Sequence, residues 1–261
     1  KVDLAEKFSS PKGFFGRCSS PLVVGGKAVF DVGGPNAGMV ALELKTGELA
    51  WSSTSYGNDY SSAVPFEAHS GQLILSFMRE GFLVLNAKTG KKVFFERFRS
   101  PISASVNAAS PVVAGNRVLL SSCYDVGAGL WDYRENSAGE GRFDTLWKKK
   151  DALDCHYSSP VAFGEFAYGF HGRQERGPVL RCISLKDGKV MWEAPSMGAG
   201  NLLRAKDKLL VLSENGELIV VEASPKSFRA LHRQQILGTG ARAHFSLANG
   251  LLFARDQRRL V

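Results

Sequence analysis

Short apolar runs separated by glycine-containing turns make up most of the chain from about residue 20 onward. The runs hold four to seven residues, are rich in Val, Ile, Leu and Phe, and are bounded by pairs such as Gly-Gly, Gly-Asn, Asn-Gly and Thr-Gly. Runs of this length and composition between such turns predict β-strands. No other segment sustains the 3.6-residue period of an amphipathic helix, so the pattern predicts an all-β protein with few helices.

The strand pattern repeats along the chain. Four similar segments each end in an aromatic residue, at spacings of 43, 53 and 45 residues, and they are Ser20–Trp51, Ala63–Phe94, Ser110–Trp147 and Ser159–Trp192. A fifth unit replaces the Thr-Gly turn with Ser-Pro-Lys, and a sixth begins near Ala243 and stops halfway. Three of the tight turns close on a glycine that we expect to adopt positive φ: Gly47, Gly90 and Gly188. Four strands in 40–50 residues predict β-propeller blades, because a parallel β-helix would repeat about every 20–25 residues.

The repeated pattern Ala-Leu-x-x-Lys-Thr-Gly-x-x-x-Trp resembles the tryptophan-docked blades of quinoprotein-type propellers. Over essentially all 261 residues the chain resembles bacterial PQQ-binding-like β-propeller repeat proteins of the BamB-like type, as in GFFGRCSSPLVVGGKAVFDVGG and GFHGRQERGPVLRCISLKDGKVMW. The resemblance implies that Trp51, Trp147 and Trp192 pack between neighbouring blades. The chain departs from the family pattern at Phe94 and in the fifth unit, where both the turn and the Trp are lost.

We therefore expect a single β-propeller domain of four-stranded antiparallel blades over residues 1–261. About six blades are visible, either as a set closed by the two chain ends or as part of a seven- or eight-bladed ring, and their approximate ranges are 16–55, 58–100, 106–150, 156–195, 199–234, and 240–261 together with 1–8. Residues Lys1–Leu4 are expected to form an outer strand, and Gly250–Asp256 and Arg258–Val261 inner strands of the last blade. Because the chain starts with Lys1 rather than Met, it is expected to be a processed product or a fragment.

Composition excludes several classes of protein. With 44% hydrophobic and 22% charged residues, the chain can bury a sizeable core and is not disordered. Length alone allows one large domain or two ordinary ones, and the repeat favours one. No apolar stretch approaches the roughly 18 residues of a membrane-spanning helix, so no membrane span is expected.

Basic residues are concentrated at the end of the chain. The net charge is +8, and residues 226–261 hold seven basic residues against one acid, Asp256. This basic sector is either a docking surface for an acidic partner or a solvated rim balanced by neighbouring acids. No aromatic–basic or helix-turn-helix pattern accompanies the charge, so nucleic-acid binding is not expected.

The four cysteines form no CxxC pair, and no His lies at zinc-like spacing from them, so no metal site is expected. Cys123 and Cys182 lie in apolar runs and are expected to pack as small hydrophobic residues. The disulfide state of Cys18 and of the other three is left open, with a Cys155–Cys182 bridge as one alternative in an oxidising compartment.

Polar residues recur at one register of the repeat, four positions before a shared proline. Arg17, Asn107 and His156 hold this position, and Tyr60 lies in the matching neighbourhood, Asn58-Asp59-Tyr60, of the second blade. In a propeller these loops converge at one end of the channel, so they are candidates for binding a protein partner or a small polar ligand. The alternative is that they bond loop backbone groups and line a water-filled mouth.

A second candidate is the polar stretch 171–176, which interrupts a hairpin. His171, Arg173 and Glu175 are its candidate binding residues. Arg173 and Glu175 either present a guanidinium and a carboxylate to a partner or pair with each other across the hairpin.

No catalytic residue is assigned. Quinoprotein dehydrogenases of the resembling family hold PQQ beneath vicinal cysteines with a calcium ion, and neither a Cys-Cys pair nor a matching ligand set occurs here. We therefore expect no cofactor, with PQQ as the alternative, and a non-catalytic protein-interaction or ligand-binding scaffold. The resemblance implies a periplasmic, envelope or extracellular location. The alternative function is a cofactor- or sugar-binding propeller attached to a dehydrogenase or sensor system.

Overall fold

The computed structural model describes residues 2–261 and consists mainly of β-strands in antiparallel sheets. Five sheets have four strands and the last has two, and within each sheet the strands follow one another in chain order. The predicted all-β class and the four-stranded repeat are confirmed for five repeats. No helix in this described range is both long enough and apolar enough to cross a membrane.

The first three sheets contain twelve strands. Sheet 1 is formed by β1 (Leu22–Val24), β2 (Lys27–Gly34), β3 (Ala37–Glu43) and β4 (Leu49–Ser53). Sheet 2 is formed by β5 (Val64–Ala68), β6 (Gly71–Phe77), β7 (Gly81–Asn86) and β8 (Lys92–Arg97). Sheet 3 is formed by β9 (Val112–Ala114), β10 (Arg117–Ser122), β11 (Gly127–Glu135) and β12 (Gly141–Lys149).

The remaining sheets follow in the second half of the chain. Sheet 4 is formed by β13 (Val161–Phe163), β14 (Phe166–His171), β15 (Val179–Ser184) and β16 (Val190–Glu193), with a 3₁₀ turn at Gln174–Arg176. Sheet 5 is formed by β17 (Gly200–Ala205), β18 (Lys208–Ser213), β19 (Glu217–Glu222) and β20 (Ala230–Gln235). Sheet 6 is formed by β21 (Ser246–Ala248) and β22 (Leu251–Phe253).

The same hydrogen bond closes the turn before the last strand in sheets 1, 2 and 4. Gly47, Gly90 and Gly188 each donate their N–H to the carbonyl four residues earlier, at 2.8 Å. Their φ angles are 74°, 70° and 68°, a left-handed conformation that glycine adopts without steric cost. The glycines were expected at these positions because only such a turn reverses the chain so tightly.

Two compact units divide the contacts of the chain: residues 2–122 with 129–146, and residues 123–128 with 147–261. In the first unit, the apolar faces of sheets 1 and 2 form one core cluster, whose buried members are Val24, Val29, Met39, Ala41, Trp51, Ile74, Met78, Leu83, Leu85 and Ala87. In the second unit, sheets 4 and 5 form another cluster, which includes Tyr168, Phe170, Leu180, Trp192, Leu202, Leu209, Val211 and Ile219. Each core therefore lies between two sheets packed face to face.

The two chain ends differ from the prediction. Leu4–Lys7 is a single helical turn, α1, capped by the Asp3 carboxylate, which accepts from the N–H groups of Ala5 (2.9 Å) and Glu6 (3.2 Å). The outer strand expected at Lys1–Leu4 is therefore wrong for its described residues, and Lys1 lies outside them. A carboxylate at the N-cap satisfies helix N–H groups that an isolated extended segment would leave to water.

At the other end, β22 lies within the predicted segment Gly250–Asp256. Arg258–Val261, however, forms no strand, and its described pairing is an isolated bridge between Leu260 and Arg255. This part of the prediction is also wrong. The backbone of Arg258 and Arg259 turns instead around Asp256, whose Oδ1 accepts from both of their N–H groups.

Candidate functional site

The loops that lead into the first strand of each sheet, here called lead-in loops, are joined by hydrogen bonds in the first unit. The Ser20 N–H donates to Ser62 Oγ (2.9 Å), and the Ser62 N–H donates to Ser110 Oγ (3.2 Å). The bond recurs because the Ser stands at the same register of each repeat. Two of the predicted site residues, Tyr60 and Asn107, meet in these loops, where the Tyr60 N–H donates to the Asn107 carbonyl (3.1 Å).

Asn107 is buried, at 2% exposure, and its polar groups bond to the surrounding backbone and side chains. Its Nδ2 donates to the Met78 carbonyl (2.9 Å), its N–H donates to Asp59 Oδ2 (2.9 Å), and its Oδ1 accepts from Ser122 Oγ (2.9 Å). A buried amide with this many partners holds loops in place. This geometry matches the alternative in which the residue satisfies loop groups.

Arg17 lies apart from Asn107, on the exposed lead-in loop of sheet 1. Its guanidinium donates to the Ser10 carbonyl (2.9 Å) and to Ser10 Oγ (3.0 Å). On the same loop the Phe15 N–H donates to the Tyr60 hydroxyl (3.1 Å). Tyr60 therefore links the lead-in loops of sheets 1, 2 and 3, whereas Arg17 braces its own loop.

A partly buried charge cluster lies beside these loops, and two of its members, Asp31 and Arg79, are not among the predicted site residues. The Asp59 carboxylate accepts from Arg79 Nη1 (3.1 Å) as well as from Asn107. Both oxygens of Asp31, on β2, are buried without a hydrogen-bond partner. Burial raises the pKa of Asp31 well above its ordinary value, and the carboxylates of Asp59 and Glu80 raise it further while the Asp59 backbone opposes the shift.

The available signal for Asp31 was an acid inside the apolar run Val-Phe-Asp-Val of β2. Burial also raises the pKa of Asp59, with the hydrogen bonds from Asn107 and Arg79 acting in the opposite direction. The two carboxylates thus differ in their surroundings: Asp59 accepts hydrogen bonds from Arg79 and Asn107, whereas for Asp31 the Asp59 backbone alone favours the ionised form.

In the second unit, His156 is half-buried beside the 3₁₀ turn. Its Nε2 lies 3.1 Å from the Tyr124 hydroxyl, and its Nδ1 lies 3.5 Å from the Gln174 N–H. Burial lowers the pKa of the imidazole, which favours the neutral form. The ring borders a small open pocket of about 190 Å³ including its mouth, lined by His156, Tyr157, Ser158, Phe170, Gly172, Gln174, Pro178, Ala199 and Gly200.

The predicted residues of the stretch 171–176 separate into two groups. Arg173 and Glu175 lie 3.4 Å apart as an ion pair, and the Arg173 guanidinium lies 4.8 Å from the centre of the Tyr124 ring. His171 instead lies 3.1 Å from the Arg181 guanidinium. Burial lowers the pKa of His171 to about 4, and the charge of Arg181 contributes to the shift. Arg173 and Glu175 therefore pair with each other, and His171 is held neutral.

The docking aromatic residues pack against the turn of the following repeat. Trp51 Nε1 donates to the Ala87 carbonyl (3.1 Å), and a Cβ on Gly90 would lie 2.6 Å from the Trp51 ring. Trp147 repeats this arrangement on the Leu185 carbonyl (2.9 Å), where Gly188 faces its ring. Glycine at the turn thus makes room for the indole.

Two further docking positions complete the series. Trp192 Nε1 donates to the Ser224 carbonyl (2.7 Å) in the fifth repeat, and Phe94 packs 5.4 Å from Phe143 in the third. Strand register shows which residue of sheet 5 stands at the position that the docking residue holds in the other sheets. Ala41 pairs with Trp51 and Cys182 with Trp192, each just before a β-bulge, and Val220 pairs in the same way with His232. His232 is exposed.

Four of the seven basic side chains in the sector 226–261 form ion pairs. Three of the partner carboxylates precede the sector, and the pairs are Arg229–Glu222 (3.1 Å), Arg233–Glu217 (2.9 Å), Arg242–Glu214 (3.2 Å) and Arg259–Asp256 (3.7 Å). Exposed pairs of this kind balance charge more than they add stability. The sector therefore has the character of a balanced rim.

The donor set does not fit a PQQ–calcium site. Within residues 2–261 no three His, Cys, Asp or Glu side chains are placed to hold a metal ion. Calcium takes six to eight oxygen ligands, and the Asp59 carboxylate is already bonded to Arg79 and Asn107. All four cysteines are free thiols, with Cys18 exposed and the other three buried.

Solved structures with a similar fold include proteins of different function. BamB from Moraxella catarrhalis matches with a TM-score of 0.66 and 14% identity over 90% of this chain and 68% of its own. A europium-containing methanol dehydrogenase matches at 0.58 and 14% over 87% of this chain and 52% of its own. Apo AztD from Citrobacter koseri matches at 0.57 and 12%, over 91% and 66%. At such identities the likeness shows the fold alone, a β-propeller.

Sequence comparison assigns the family. No curated protein sequence matches significantly. The profile of the family described as outer membrane protein assembly factor BamB matches residues 2–194, about three quarters of the chain. The PQQ-like repeats, the four-stranded sheets and the docked aromatic residues agree with that match. The chain belongs to the BamB family of β-propeller proteins.

Proposed function

We propose that the chain is a non-catalytic β-propeller scaffold that binds a protein partner or a small ligand in the bacterial cell envelope. The observation that carries the proposal is the use of polar side chains in the lead-in loops. Asn107 bonds three neighbouring segments, through Met78, Asp59 and Ser122, and in the separate loop between β14 and β15 Arg173 pairs with Glu175. Side chains engaged in this way stiffen a surface, and a stiff surface binds with a lower entropic cost.

Membership of the BamB family supports an envelope location and a role in protein interaction. The family match extends over the first four repeats and ends at residue 194. A fold of this kind hosts many functions, so the proposal rests on the surface chemistry as well as on the family.

A second candidate function is supported by one observation, the similarity of the fold to a methanol dehydrogenase. In this alternative the propeller binds a redox cofactor or a sugar within a dehydrogenase or sensor system. The alignment covers 52% of that enzyme, and within residues 2–261 no three His, Cys, Asp or Glu side chains are placed to hold a metal ion.

Reconstitution separates the two functions. The protein is incubated with PQQ and Ca²⁺, passed over a gel-filtration column, and assayed for cofactor absorbance and for dye-linked oxidation of alcohols and sugars. The scaffold function predicts neither retained absorbance nor turnover. Retained cofactor together with turnover contradicts it.

Cell fractionation tests the location. Antibodies against this chain are used on periplasmic, membrane and cytosolic fractions of the source bacterium, with a known cytosolic enzyme as the control. We expect the protein in the periplasmic or membrane fraction. Its recovery in the cytosolic fraction alone contradicts the envelope assignment.

A further inference from the structure

Two phenylalanines are displayed to solvent on a loop that is otherwise fixed. Phe14 is 91% exposed and Phe15 is 66% exposed, on the lead-in loop of sheet 1. The ring centre of Phe15 lies 4.8 Å from that of Phe14 and 5.6 Å from that of Tyr60, both in edge-to-face geometry. We call these three rings the aromatic patch. Large exposed aromatic clusters mark interaction sites more often than isolated apolar side chains do.

The backbone beneath the aromatic patch is held from both sides. The Phe15 N–H donates to the Tyr60 hydroxyl, and Arg17 donates to the carbonyl and hydroxyl of Ser10. Ser10 Oγ in turn donates to the Val32 carbonyl in β2. Ordering the loop in advance lowers the entropic cost of binding, so the two rings are presented in a form suited to capture a partner.

The segment that carries Phe14 and Phe15 is basic. Residues 7–30 contain four basic residues and no acidic one. Lys27 is paired with Glu43 at 3.7 Å, while the hydrogen bonds of Arg17 go to neutral oxygens of Ser10 and Pro11. Lys12 is exposed on the same loop. Aromatic rings flanked by uncompensated cations are complementary to a segment that carries both apolar and acidic side chains.

We propose that the aromatic patch is a docking site for an acidic, apolar segment of a protein partner. The proposal rests on the scaffold function and specifies the surface and the chemistry of its partner. A protein segment is favoured over an anionic lipid surface because lipid-binding basic clusters hold four to eight cations. This loop contributes two, Lys12 and Arg17, and Lys7 stands at the end of α1 before it.

Fluorescence anisotropy with labelled peptides tests the docking site. One short peptide alternates Leu with Asp and Glu, and a matched peptide replaces each acid with Lys. We expect the acidic peptide to bind and the basic peptide to bind at least tenfold more weakly. The double variant Phe14→Ala/Phe15→Ala should lose about 30-fold or more in affinity, as for interface hot-spot residues.

Two further variants sharpen the assay. Lys12→Glu should weaken binding by about three- to tenfold and reduce its dependence on salt, because exposed charges act mainly through screened attraction. Leu251→Ala, at a 61%-exposed position on β22, is the matched control and should bind as the unaltered protein does. Circular dichroism verifies that each variant is folded.

Several results would overturn the docking site: no binding of the acidic peptide, equal binding of both peptides, or full affinity in the double variant. Binding to phosphatidylglycerol vesicles without binding to the acidic peptide would assign the patch to lipid and also overturn it. These failures leave the scaffold function intact if PQQ is not retained. Retained PQQ with turnover is a separate result that contradicts the function itself.

Discussion

Replacing Asp31 with Asn should stabilise the folded protein at neutral pH. The substitution removes the charge and leaves the size and shape of the side chain almost unchanged. Both carboxylate oxygens of Asp31 are buried and lack a hydrogen-bond partner. A buried group in this state costs about 1–3 kcal/mol, and a charged group costs more. The amide of Asn leaves polar atoms unpartnered too, so the substitution recovers only the part of the cost that comes from charge.

We expect a gain of about 1–2 kcal/mol in the free energy of unfolding at pH 7.5. For a domain of this size, that corresponds to a rise of about 2–8 °C in melting temperature. The assay is urea denaturation of the unaltered protein and the variant, followed by tryptophan fluorescence. The urea midpoints of the two proteins are compared after verifying that the dependence of their free energy of unfolding on urea concentration has the same slope.

The stability difference should shrink as the pH falls. The pKa of Asp31 is raised in the folded state, so the folded protein binds this proton more tightly than the unfolded chain does. Acidification therefore favours the folded state of the unaltered protein until the pH nears the ordinary value of 3.8, where Asp31 is protonated in both states. Because the two proteins share every other carboxylate, the pH dependence of the stability difference between them reports on Asp31 alone.

Asp59→Asn is the matched control, because the Asp59 carboxylate accepts from Arg79 and Asn107. It should destabilise the protein by about 1–3 kcal/mol at pH 7.5, the opposite sign to Asp31→Asn. If Asp31→Asn also destabilises the protein, or if its effect does not depend on pH, the carboxylate of Asp31 has a stabilising partner and the reasoning is refuted.

Three further predictions concern the docking turn, a neutral histidine and the thiols. Gly90→Ala should lower the free energy of unfolding by at least about 2 kcal/mol, because the new Cβ meets the Trp51 ring. Gly47→Ala, at a similar φ but in open space, should lower it by only about 1 kcal/mol. Equal shifts of the urea midpoint in the two variants would contradict this. By ¹⁵N NMR, His171 should titrate near pH 4, and a midpoint near 6.5 would exclude its contact with a guanidinium. Ellman's reagent should modify Cys18 alone in the native protein and all four thiols in urea, and rapid modification of a second native thiol would contradict the burial of the rest.

The sequence predicted the features that depend on local chemistry. The turn glycines repeat because each N–H bonds within five residues, so a short motif contains the whole interaction. The docking of the tryptophans was implied by the resemblance to quinoprotein-type propellers, whose repeated motif holds each Trp at a fixed distance from its turn. The prediction of a strand at Lys1–Leu4 did not use the short-range signal for α1, which is Asp3 followed three residues later by Glu6.

Features that depend on register between distant segments could not be predicted. Arg229 and Arg233 reach carboxylates on the neighbouring strand, so a count of charge within one sequence window overstated the free charge of the basic sector. The equivalence of His232 to the docking tryptophans is visible only from the bulge beside Val220. The burial of Asp31 likewise depends on how β2 meets the loop before sheet 2, and no spacing in the sequence reports it.

The docking of each aromatic residue on the following repeat has a consequence for how such a chain can grow. One repeat carries an indole that serves its successor and a glycine turn that receives its predecessor, as Trp51 and Gly90 show. A duplicated repeat therefore arrives with both halves of the contact, and each half finds its complement without any compensating substitution. Gene duplication in whole-repeat steps is structurally neutral at these positions. An insertion that ends inside a repeat would leave one tryptophan without a glycine turn to pack against.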